Sequence, residues 1–193
     1  MKKLMIALAA VAMAACAQAA TVSWTCTGVK GPDGNALSGG SAYVFFVAGT
    51  SADTSWVAAL EGKGAAAVSA AMASANKTYT MGSSVAAGNY SYNTSNGFTL
   101  PTNAELGLSG STVYTAYAVV FDTKTITDDS NFYVTAARTA TTLGDAVTNN
   151  KLWSLTATSS SVASNWHAVA PEPTSGLLML VGLGALALRR RRA

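Results

Sequence analysis

A single histidine and two cysteines in 193 residues leave little material for metal or nucleophile chemistry. A zinc site needs three or four His or Cys ligands, so no metal and no cofactor is expected. Cys16 lies in the N-terminal apolar run, which leaves Cys26 alone in the rest of the chain. One cysteine cannot close an internal disulfide, and the domain must hold together by its core. Cys26 sits in the alternating run Val22-Ser23-Trp24-Thr25-Cys26, on the side of Val22 and Trp24, which predicts a buried, inert thiol. His167 follows a Ser/Ala-rich stretch near the C-terminus. Triad chemistry needs a histidine inside the fold beside a nucleophile. A solvated linker histidine and a non-enzymatic chain are the expectation.

Charge is also scarce, at 11% of residues, and the formal net charge of +3 misleads. Taking Lys2, Lys3 and Arg189, Arg190, Arg191 and Arg192 from the twelve basic residues, and Glu172 from the nine acidic ones, leaves six against eight. The central portion is therefore slightly acidic, at −2, with its charges scattered. That excludes the basic footprint of a nucleic-acid partner.

What is present at the N-terminus is an address. Lys2 and Lys3 precede an apolar run over residues 4–15, followed by Ala17-Gln18-Ala19-Ala20. Basic start, apolar centre and small-residue A-x-A site in that order predict a secretory signal peptide over residues 1–20, cleaved at Ala19 or Ala20. Signal peptidase and the secretion translocon are the implied partners. Met13-Ala14-Ala15-Cys16 loosely resembles a lipobox, which leaves lipidation at Cys16 as a rival for the anchoring mode.

Residues 21–158 are rich in Ala, Ser, Thr, Gly and Asn, with short β-forming runs. Strands are predicted at 21–29, 42–48, 78–81, 111–122, 131–139 and 152–158, with turn chemistry at Lys30-Gly31-Pro32-Asp33-Gly34-Asn35. The clearest hairpin pairs 113–121 with 131–135. Between Asp53 and Asn76, Trp56, Leu60, Val68 and Met72 recur near helical spacing, with Asp53 or Thr54 as N-cap and Gly62 and Gly64 dividing two short helices. The expected fold is mainly β, a small antiparallel sandwich-like domain with a short helical insertion. Residues 159–170, beginning Ser159-Ser160-Ser161, read as a linker in which Trp166 closes the last strand or rests near a membrane surface.

Three parts then follow in order over residues 171–193: Pro171-Glu172-Pro173, an apolar segment at 175–188, and Arg189, Arg190, Arg191 and Arg192. Two prolines withhold backbone donors and keep their segment extended, the form a protease cleft binds. Fourteen apolar residues make roughly 21 Å of helix, short of the ~30 Å hydrocarbon core. Such a single transmembrane helix spans only with bilayer thinning or snorkelling ends. The arginines stay cytoplasmic and stop transfer. A marginal anchor suits a tail held until it is cut.

The arrangement closely resembles the PEP-CTERM sorting signal, the substrate tail of exosortase enzymes in Gram-negative bacteria. The resemblance implies cleavage at or near Pro171, Glu172 and Pro173 by a membrane-embedded, cysteine transpeptidase-like exosortase, after a transient stay in the inner membrane. It implies delivery to the cell surface or the extracellular matrix of an exopolysaccharide-producing bacterium. It does not cover the domain.

The domain itself nominates little. Asp122, Asp128 and Asp129 offer oxygens for calcium but lack the spaced Asp/Asn-Gly pattern, and a charged hairpin tip is the plainer reading. Tyr90, Tyr92, Tyr114, Tyr117 and the tryptophans are candidates for a sugar-stacking face, with polysaccharide as a partner. Alternating aromatics on strands are more often core. The expected function is a structural or adhesive surface protein; its rivals are a carbohydrate-binding module at the same surface and a secreted hydrolase, against which the lack of a catalytic constellation counts.

Overall fold

The computed structural model describes residues 20–74, 79–81, 88–92, 99–144, 151–170 and 181. Its central element is β5 (Val113–Phe121), in which every residue after Val113 is buried. A strand this apolar needs cover on both faces. It pairs antiparallel with β2 (Ser41–Ala48) along its length, from Ser41↔Phe121 to Ala48↔Tyr114. The larger sheet runs β3 (Tyr79–Met81), β2, β5, β6 (Asn131–Val134), β9 (His167–Ala168), with β7 (Arg138–Thr141) on the other end of β5.

The smaller sheet has β1 (Val22–Thr27) between β4 (Tyr90–Tyr92) and β8 (Lys151–Thr156). Its β1–β8 pair is parallel, from Val22↔Lys151 to Thr27↔Thr156, which corrects the purely antiparallel expectation. Alternation along a strand sets which face is apolar and is silent on the partner's direction.

Val22, Trp24 and Cys26 from β1 and Trp153 and Leu155 from β8 pack against Ala42, Val44, Ala116, Ala118 and Val120. Phe46 lies edge-on to both Trp24 and Trp153, at 6.0 and 5.4 Å between centroids. The opposite face of the large sheet, with Phe45, Tyr117, Val119, Phe121 and Phe132, is covered by Val57, Val68 and Met72. These come from α1 (Ser55–Ala58) and α2 (Ala65–Ser74). The molecule is thus a sandwich with a third, helical layer, and the expected insertion seals the central strands. Burial of each large side chain contributes about 1.5–3 kcal/mol.

Three further differences have local causes. The expected strand at 131–139 is two strands. Val120 faces Tyr133 while Ala116 faces Arg138, so β5 moves back four residues as its partners advance five. The extra residue forms a bulge at which Thr135 Oγ1 accepts the Ala118 N–H at 2.9 Å. A short helix, α3 (Asn103–Leu106), was not anticipated and is held by a capping box between Thr102 and Glu105.

Residues 159–170, expected as a linker, instead fold onto the domain. They form two turns of 3-10 helix (Thr158–Ser161 and Ala163–Asn165) and β9. Trp166 is buried and donates its indole N–H to the Ser160 carbonyl at 2.9 Å. Hydroxyl-to-backbone bonds, such as Lys30 N–H to Ser160 Oγ at 2.8 Å, let a Ser-rich stretch pack without large apolar side chains. Among the described residues no helix is long and apolar enough to cross a membrane. The expected signal peptide, apart from Ala20, and the expected spanning helix, apart from Val181, lie outside them.

Candidate processing site at the C-terminal junction

Ahead of Pro171 stands β9, which among the described residues is an edge strand paired with β6 through Asn131↔Ala168 and Phe132↔His167. Val169, next in the chain, is fully buried among Phe132, Val68 and Phe121. Three backbone bonds fix it. The Val169 N–H donates to the Ser130 carbonyl at 2.9 Å, and the Gly62 and Gly64 N–H groups donate to the carbonyls of Ala168 and Val169 at 3.0 and 2.7 Å.

The partners are built for that grip. Gly62 and Gly64 have φ of +70° and +84°, a conformation side chains resist, and it turns both N–H groups toward β9. Ser130 is buried, and its hydroxyl accepts the Thr127 N–H at 2.9 Å and bonds Thr123 Oγ1 at 2.6 Å. That network locks the β5–β6 connection beneath the tail. His167 stacks on Phe132 at 5.2 Å and meets Glu61 across a 2.9 Å Nδ1–Oε2 contact. The expected solvated linker histidine is therefore a half-buried strand residue. An open groove of about 410 Å³, lined by Tyr133, Val134, Ala136, Ser164, Asn165 and His167, flanks β9.

Pro171, Glu172, Pro173, Arg189, Arg190, Arg191, Arg192 and Ala19 lie outside the described residues. Ala20 is inside them and buried, with its carbonyl accepting the Asn103 N–H at 3.0 Å. The described residues thus start at Ala20, at the expected signal-peptidase site, and their last continuous stretch ends at Ala170, next to Pro171. Reading the sequence missed Val169 and Ser130, and took Gly62 and Gly64 as helix breaks and not as donors to β9, because a two-residue strand carries no periodicity.

The other candidates resolve into structural roles. Cys26 is buried, and desolvation pushes its thiol up to about 12. Asp122 accepts the Asn131 backbone and side-chain N–H groups, both at 2.8 Å, and Asp128 accepts from Ala65. Trp24, Trp153, Tyr90 and Tyr117 are fully buried, Tyr114 nearly so, and half-buried Tyr92 lies flat on Trp24 at 4.5 Å. These rings are core.

No curated protein and no solved structure gives a significant match to the chain. Residues 169–192 match the family model of the PEP-CTERM protein-sorting motif, which implies export and exosortase as the processing partner. The match starts at Val169, the last residue locked into the core. The chain thus carries a PEP-CTERM protein-sorting motif whose match begins inside the folded domain, at Val169.

Proposed function

We propose that this chain is a non-enzymatic structural or adhesive protein of the cell surface or extracellular matrix, freed from the inner membrane by cleavage at Pro171, Glu172 and Pro173. The motif match at residues 169–192 carries the sorting part of this reading. His167 is engaged by Glu61 and Phe132, and Cys26 is buried, so neither sits beside the other as a nucleophile and base. Among the described residues Trp24, Trp153, Tyr90, Tyr114 and Tyr117 pack inward, which lends the carbohydrate-binding alternative no support.

Intact-mass analysis of surface-extracted protein tests this. The expected species starts at Ala20 or Thr21 without lipid and lacks residues 176–193. Alanines at Pro171, Glu172 and Pro173 are expected to leave the chain uncut in the membrane. Retention of the arginine tail on surface-extracted protein would overturn the reading.

A further inference from the structure

Only Ala170 separates the core-anchored Val169 from Pro171. From Val169 to Ser175, where the apolar segment starts, six residue steps reach at most roughly 20 Å. Headgroups take up several ångströms of that span, as the interfacial zones add about 10–15 Å to a ~30 Å core. A domain held this way sits close against the bilayer. Little room remains for a membrane enzyme to enclose the motif.

The backbone conflict is sharper than the steric one. An enzyme that binds extended peptide uses the peptide's own N–H and C=O groups on both sides of the bond it cuts. On the N-terminal side those groups belong to residues 167–170. The Ala168 and Val169 carbonyls are already occupied by Gly62 and Gly64, and the Val169 N–H by Ser130. His167 and Ala168 are paired to β6. The same residues cannot lie in the sheet and in an enzyme cleft at once.

We propose that β9 and Val169 form a clasp that withholds the sorting motif from its processing enzyme until the strand detaches from β6. The clasp rests on the processing reading above. Position favours release: β9 is an edge strand of two residues, and its loss leaves β5, β2 and the small sheet paired. Elements this short at a sheet edge open at lower cost than the whole domain. Detachment uncovers Phe132 and Val68, so the clasp recloses once the tail is gone.

The test is pulse-chase of the full-length chain in cells that carry the processing enzyme, reading loss of residues 176–193 by mass. Two variants are compared with the native chain. One inserts six Gly/Ser residues between Ala170 and Pro171 and leaves the domain intact; the other is Val169→Ala, which loosens the clasp. Both are expected to shorten the processing half-life, the spacer by on the order of tenfold, since it removes the need to break the clasp's hydrogen bonds. A spacer chain processed at the native rate overturns the clasp while leaving the sorting reading intact. A tail retained by all three chains overturns the sorting reading and the clasp with it.

Discussion

The carboxylate of Asp128, in the connection between β5 and β6, accepts the backbone N–H of Ala65, the first residue of α2, at 2.7 Å. A residue 63 positions away thus caps the helix. It satisfies an orphan N–H and sets negative charge at the positive end of the helix dipole. Asp128→Ala is expected to cost about 0.5–2 kcal/mol by urea denaturation, and Asp128→Asn less, because its amide oxygen still accepts. Equal midpoints for all three proteins would refute the cap.

Cys26 gives a second expectation. Cys26 is the one thiol among the described residues, and it should not react with a disulfide reagent at pH 8 until the protein is unfolded in denaturant. Its pKa is raised from 9.0 to about 12 by burial. The unfolded chain therefore releases this proton first. The associated stability is complete below pH 9 and is lost as pH rises through 9 toward 12. Rapid labelling of the native protein would show the thiol to be accessible.

Gly40 lies where backbone strands crowd together. A Cβ there would run into the Phe121 carbonyl oxygen and sit 2.8 Å from Tyr90 Oη. The carbonyl is ladder backbone and cannot swing aside. Gly40→Ala should destabilise the domain by about 1–3 kcal/mol, seen as a lower thermal midpoint. An unchanged midpoint would mean that β2 and β5 shift freely.

The capping box of α3 supplies a pH signature. Hydrogen bonds from the Thr102 backbone and hydroxyl, at 2.7 and 2.9 Å, hold the Glu105 carboxyl below its ordinary value of 4.5. A lowered folded pKa means the stabilisation is present above the unfolded value and fades as pH falls through the folded one. NMR titration should place the Glu105 midpoint below 4.5, and Thr102→Ala should return it toward that value. A midpoint at 4.5 in the native protein would dissolve the box.

How much of this could be read in advance depended on span. β5 announced itself because nine successive residues suit a strand buried on both faces, and Val22, Trp24 and Cys26 because one face of β1 repeats every second residue. Val68 and Met72 placed α2 through their one-turn spacing. The parallel direction of β8, the bulge at Thr135 and the two-residue β9 carry no such rhythm, since each is decided by a partner far along the chain. The sorting motif was legible from its spelling. That it abuts the core was not, because Ser160 and its neighbours are held by hydroxyl and backbone bonds in a composition typical of spacers.

The parallel pairing of β1 with β8 bears on when this protein can fold. Ser23 and Lys151 meet across 128 positions, so the first strand to emerge waits for nearly the last. Until residue 156 is out, Trp24 has no Trp153 beside it and the small sheet cannot close. Such non-local pairing makes assembly late and slow. For an exported chain, that timing keeps the polypeptide threadable during passage. The small sheet then closes only once β8 has followed β1 through, with Trp153 settling beside Trp24 as the last step.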